Sequence, residues 1–211
     1  MRAPSFCGVI LAAGESSRMG RDKAMLPWPP SHGSASAAEG TFLSGAIRAL
    51  RMYTDMIIVV GGKNTPALEP IVYAEGAFII TNKTPELGQF SSFKLSMQEV
   101  LNRGRDAAIV TLVDKPPVLG TTVAKLREAF MEAPDDIWAV VPEYEGQHGH
   151  PIVVGREIIT EMLNAPLTAT ARDILHAHET HVRYVTVNDP HVTFNVNTPE
   201  DYERLFPAPA H

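Results

Sequence analysis

Residues 6–23 read Phe-Cys-Gly-Val-Ile-Leu-Ala-Ala-Gly-Glu-Ser-Ser-Arg-Met-Gly-Arg-Asp-Lys, and this order decides the fold. Phe6–Leu11 is an apolar run with the length and composition of a buried strand. Ala12, Ala13 and Gly14 follow with almost no side chain, so backbone there can come close to a ligand. Ser16 and Ser17 offer hydroxyls, and the N–H groups of such a turn can converge on an anion. Arg18, Arg21 and Lys23 then place three cations within a short reach. A strand, a thin loop and clustered cations together predict a polyphosphate cradle.

Spacing excludes two other cradles. A P-loop needs two glycines separated by four residues and followed by Lys-Ser or Lys-Thr. Gly14 and Gly20 stand one residue too far apart, and Arg21-Asp22-Lys23 comes next. A dinucleotide fingerprint needs three glycines, and this turn has only those two.

After this stretch, strand-like runs alternate with helix-like segments. Met56–Val60, Phe78–Thr81, Ala107–Val113, Ile137–Val141, Pro151–Val154 and Val182–Val187 read as strands. Between them, Leu43, Ile47 and Leu50 share a helical face, as do Phe93, Met97, Val100 and Leu101, and Val123, Leu126 and Phe130. This alternation predicts an α/β fold in three layers, α/β/α, around a Rossmann-like, mostly parallel sheet. Ligands of such sheets bind beyond the carboxyl ends of the strands, where the loops after Leu11 and Val113 lie. With no internal repeat and no boundary signal, residues 1–211 are expected to form one domain. Pro29–Gly40 is rich in small and polar residues and is expected to be a flexible loop.

The 45% hydrophobic and 20% charged composition is that of a soluble globular chain. A net charge of -6 argues against a nucleic-acid partner and leaves phosphate binding to local cations and metal. Cys7, the single cysteine, lies inside the first apolar run and is expected to be an inert buried thiol. No stretch has membrane-spanning length and no leader pattern opens the chain, so a cytoplasmic protein without a membrane partner is expected.

Asp114 ends the strongest strand and is followed by Lys115-Pro116-Pro117. A carboxylate there is costly to ionise unless something positive faces it. Mg²⁺ bridged to phosphate is one such partner, while a turn or helix-capping role is the other reading. In Asn195-Val196-Asn197-Thr198-Pro199-Glu200-Asp201, Thr198 reads as a helix N-cap and Pro199 as its first residue. The flanking asparagines are poor strand formers around an apolar Val196. Asn82 and Ser91-Ser92, around Gly88, fit a turn and helix cap. His176, His178 and His181 match no common zinc spacing and read as a solvated helix end.

Residues 11–23 resemble the signature LAAG-x-S-x-R-M-G-x-x-K of nucleotidyltransferases with a MobA-like fold, which include the molybdenum cofactor guanylyl- and cytidylyltransferases. The resemblance runs through Asp114, similar to the family's G-D-x-P, through Gly149-His150-Pro151, and through 195–201, similar to N-V-N-T-P-E-D. It implies a fold of the nucleotide-diphospho-sugar transferase type and a Mg²⁺-dependent transfer of NMP from an NTP to a phosphate acceptor. Arg18 and Lys23 would neutralise the triphosphate, and Leu11, Ala12, Ala13, Gly14, Ser16, Asn82 and Ser92 would approach the nucleotide. Asp114 with Asn195, the first choice, or Asn197 would hold the metal, and His150 and Arg172 would face the acceptor. Leu-Ala-Ala-Gly leans toward CTP and Arg18–Leu26 toward GTP; CTP with molybdopterin is expected, and a molybdoenzyme or its chaperone is a conceivable partner. Val113 replaces the family's glycine, and Lys115 stands where Gln or Met is usual. Those departures keep open a sugar 1-phosphate acceptor, and a nucleotide-binding regulator without chemistry.

Overall fold

Strand β1 (Phe6–Leu11) is buried along its whole length and lies between two parallel partners. The computed structural model describes residues 4–14, 16–30 and 40–206. The expected loop at Pro29–Gly40 falls mostly on 31–39, outside the described residues. After a short hairpin, β2 (Pro27–Trp28) and β3 (Gly40–Thr41), come α1 (Phe42–Arg51), β4 (Met56–Gly61), α2 (Thr65–Ala74) and β5 (Phe78–Thr81). Next are α3 (Gln89–Asn102), β6 (Ala107–Leu112), α4 (Gly120–Met131), β7 (Ala139–Tyr144), β8 (Gln147–His148) and β9 (Ile152–Gly155). α5 (Arg156–Asn164), α6 (Ala171–Ala177), β10 (Val182–Thr186) and α7 (Pro199–Glu203) complete the described chain.

The sheet order is β10-β7-β9-β6-β1-β4-β5, with β8 paired to β7. β5, β4, β1 and β6 are mutually parallel, β9 runs antiparallel between β6 and β7, and β10 is parallel to β7. Period-2 alternation sends Phe6 and Ile10 to one face and Cys7, Val9 and Leu11 to the other. α1, α2 and α4 cover the first face with Leu43, Leu68 and Leu126; α3 and α5 cover the second with Met97 and Ile159. This is the three-layer, mostly parallel arrangement that the alternation predicts. Among the described residues no helix is long and apolar enough to cross a membrane.

Two local differences have plain causes. The strand expected at Ile137–Val141 begins at Ala139, because the Ile137 N–H is taken by a turn to the Pro134 carbonyl. α2 carries Pro66 in its first turn and Pro70 inside it, which masks its periodicity in the sequence.

Candidate active site

The loops that follow β1 and β6 lie side by side, with Val113 N–H donating to the Leu11 carbonyl at 3.0 Å. They open a small cleft of about 170 Å³, open to solvent on one side. Leu11, Ala13, Gly14 and Ser16 come from the first loop, Leu112, Val113 and Asp114 from the second. Pro85, Gly88, Gln89 and Ser92 come from the entry into α3, and Lys23 reaches in from the cationic turn. A Cβ on Gly14 would meet nothing within 4 Å, so the protein's own packing does not require a glycine there.

The turn between Ser16 and Met25 is built of two short 3-10 turns, Ser17–Met19 and Lys23–Met25. Ser16 sits in the left-handed region at φ 50, and its Oγ accepts from Lys23 N–H at 3.2 Å. Asp22 caps the second turn through Ala24 N–H at 2.9 Å. Asn64, which sequence reasoning passes over, locks this turn to the sheet. Its Nδ2 donates to the Ala12 carbonyl at 2.9 Å and to Asp22 Oδ2 at 2.6 Å, while its Oδ1 accepts from Gly62 N–H at 3.0 Å. The only sequence signal was a polar residue two positions after a glycine pair at a strand's carboxyl end. Asn64→Ala is expected to lower kcat by about 10–100-fold, as loss of a group that orients a reactive one does. Steady-state pyrophosphate release measures this, and an unchanged kcat would remove Asn64 from any positioning role.

Electrostatics centre on Lys23, which is 9% exposed. Its Nζ donates to Asn197 Oδ1 at 2.9 Å and stands 3.9 Å from Asp114 Oδ2. Burial pulls its pKa below the ordinary lysine value; Asp114 counters this, and Arg18 adds to it. Asp114 Oδ1 is buried with no hydrogen-bond partner, and the Asp114 carbonyl accepts from Val196 N–H at 2.8 Å. An orphaned carboxylate oxygen beside an amide oxygen fits a hard divalent cation. Among the described residues no group of three or more His, Cys, Asp or Glu converges. Such an ion would therefore be completed by water and phosphate oxygens, as is usual for Mg²⁺.

The expected site residues divide clearly. Leu11, Ala13, Gly14, Ser16, Lys23, Ser92 and Asp114 line the one cleft. Ala12 does not: its N–H donates to the Val60 carbonyl, its carbonyl is held by Asn64, and its side chain is core, because the β1 ladder continues through it. Asn82 is likewise spoken for, donating to Ser91 Oγ at 2.8 Å and Ser92 Oγ at 2.9 Å while Oδ1 accepts from Thr84 N–H. It positions Ser92 rather than facing the cleft. Asn197, not the first-choice Asn195, meets Lys23; Asn195 is exposed on the other side of buried Val196 in sequence. Arg18 is exposed near Lys23, and Arg21 lies over the Tyr202 ring at 5.5 Å. Arg172 is exposed in the first turn of α6 and is not part of the cleft lining.

His150 stands outside the cleft lining, close to Lys115. A Cβ on Gly149 would overlap the Val192 carbonyl, and His150 N–H donates to that same carbonyl at 2.9 Å. The Gly-His-Pro stretch is thus partly structural. Part of the His150 surface reaches solvent, yet burial, with a smaller contribution from Lys115, pushes its imidazole down to about 3. Between that value and the ordinary 6.5, the unfolded chain takes up a proton that the folded one refuses. Stability attributable to this ring is therefore present above pH 6.5 and lost as pH falls toward 3. At roughly 1.4 kcal/mol per unit, the ceiling is several kcal/mol. Denaturant titrations of His150→Gln across that window should show a shallower acid limb than the parent.

The cationic turn and the strand-end carboxylate meet beyond the carboxyl ends of β1 and β6, where ligands of such α/β sheets bind. The MobA-like NTP transferase domain matches residues 8–182, most of the chain, and the chain belongs to that family. It is 27% identical over 195 residues to the molybdenum cofactor cytidylyltransferase of Escherichia coli (strain K12), covering 92% of each. It is 28% identical over 206 residues to the molybdenum cofactor guanylyltransferase of Xanthomonas euvesicatoria pv. vesicatoria, covering 95% of this chain and 94% of that protein. Among solved structures, Rv0371c from Mycobacterium tuberculosis H37Rv superposes with a TM-score of 0.79 at 24% identity, over 97% of this chain and 98% of that one. The 4-diphosphocytidyl-2C-methyl-D-erythritol synthase of Anaerococcus prevotii shares the fold at a TM-score of 0.71 and 13% identity, over 96% and 95% of the chains.

Proposed function

We propose that the chain transfers the nucleoside monophosphate of CTP, with GTP next, to the terminal phosphate of molybdopterin, releasing pyrophosphate. The observation that carries this is the meeting of Lys23, Asp114 and Asn197, with one Asp114 oxygen left unpartnered. An acceptor phosphate oxygen forms the new bond to the α-phosphorus. The bond from that phosphorus to the β-bridging oxygen breaks, and its electron pair leaves with pyrophosphate. The acceptor already carries charge, so no protein nucleophile is needed.

Lys23 holds the triphosphate and neutralises charge growing on the leaving group, and Arg18 adds its field from the rim. The loop at 11–14 and Ser92 orient base and ribose for in-line attack. Asp114 and Asn197 would hold Mg²⁺, which when bound supplies Lewis-acid neutralisation of phosphate oxygens. Leu-Ala-Ala-Gly at 11–14 and the similarity to the Escherichia coli cytidylyltransferase favour CTP; Arg18–Leu26 and the guanylyltransferase relatives favour GTP.

The test has two stages. Thermal midpoints with each of the four triphosphates and Mg²⁺ should rise by several degrees for one of them. Pyrophosphate release is then followed with molybdopterin and with a sugar 1-phosphate. Turnover only with the sugar phosphate replaces the acceptor; stabilisation without release from either makes the chain a nucleotide-binding regulator.

A further inference from the structure

Asp114 is flanked by two buried lysines, and the nucleotide cleft uses only one of them. Lys115 is 7% exposed, and its Nζ donates a 3.3 Å hydrogen bond to the Thr193 carbonyl. An ammonium has three donors, and among the described residues that carbonyl is its one acceptor and no carboxylate reaches it as an ion pair. Burying a cation in this state is costly unless an anion meets it. The other nearby ring, His150, is neutral near pH 7 and supplies no negative charge. Besides the Asp114 carboxylate next to it in the chain, the surroundings offer Lys115 only a neutral carbonyl and a neutral imidazole.

We propose that Lys115 is the fixed cation of a second anion subsite, next to Asp114 but outside the nucleotide cleft, that receives the phosphomonoester of the acceptor. The assignment rests on the nucleotidyl-transfer reading for the identity of that anion. The triphosphate is claimed by Lys23, whereas Lys115 is one residue from the carboxylate beside which the attacking oxygen must stand. A dianionic phosphate there would occupy the donors that the protein leaves open, and a neutral or diester acceptor would not be held as well.

Inorganic phosphate is the probe, added in EDTA without nucleotide while the ring resonances of His150 are followed by NMR. The parent and Lys23→Met should both show saturable shifts, and Lys115→Met should need about tenfold more phosphate or show none. Equal titrations in the parent and Lys115→Met would overturn the proposal. Because Met replaces a buried charge at similar volume, the midpoint of Lys115→Met should be unchanged or higher. A fall of several degrees, repeated in Lys115→Gln, would make the ammonium a structural strut and also overturn it. In turnover, KM for the acceptor should rise about tenfold with KM for the triphosphate unchanged. If no triphosphate stabilises the protein yet phosphate still moves His150 through Lys115, the transfer reading fails and the subsite stands.

Discussion

Asp114→Asn is expected to lower kcat by about 10²–10⁴ while the protein remains folded. The change keeps the side-chain volume and leaves the Asp114 carbonyl free to accept from Val196 N–H, so the loop stays tied down. What disappears is the negative charge that faces Lys23 and the oxygen that has no partner within the protein. An amide is a weaker ligand for a hard cation, so a divalent ion bridging to phosphate is held less well and in poorer register. The loss corresponds to about 3–5 kcal/mol of transition-state stabilisation. Pyrophosphate release at saturating substrates, repeated over a range of Mg²⁺ concentrations, measures it. Retained turnover with an unchanged metal requirement would take Asp114 out of the metal role.

The second large effect belongs to Lys23→Met, for which kcat/KM toward the triphosphate should fall about 10²–10³-fold. Met matches the aliphatic stem, and the backbone bond from Lys23 N–H to Ser16 Oγ does not depend on the side chain. The ammonium itself, held by Asn197 and set near Asp114, is lost. Lys23→Arg should recover little, because a planar guanidinium does not place a compact ammonium at the position where Asn197 Oδ1 accepts and Asp114 stands near. Initial rates at varied triphosphate distinguish this from Asp114→Asn: a rise in KM should accompany the fall in turnover.

The fold was legible wherever burial left an unambiguous run. β1 and β5 coincide with their apolar stretches. α2 was hidden by its two prolines, and the antiparallel insertion of β9 between β6 and β7 depends on long-range pairing that local pattern does not encode. At the site, Lys23 and Asp114 could be read because a charge at the end of a buried strand demands a partner. The choice between Asn195 and Asn197 could not, because both flank buried Val196 and only contact with Lys23, far away in sequence, separates them. Arg21, one of the three clustered cations in the sequence, lies over the Tyr202 ring, a long-range contact that the local pattern does not encode. Asn64 escaped because its three partners come from three separate segments.

The stretch beyond β10 has an uneven importance. The sheet closes at Thr186, yet Val196 braces the Asp114 carbonyl, Asn197 grips Lys23, and Tyr202 donates to the Pro27 carbonyl at 2.8 Å. Met19, Leu26, Phe42, Val196 and Tyr202 form a small core of their own against this stretch. A protease nick at Phe194–Asn195 would leave Val187, Asp189 and Val192 packed on the layered scaffold and release the segment that holds Lys23. Preparations trimmed in this way would pass a far-ultraviolet spectrum as native while contributing nothing to an assay, so specific activity, not helix content, is the proper gauge of intact enzyme.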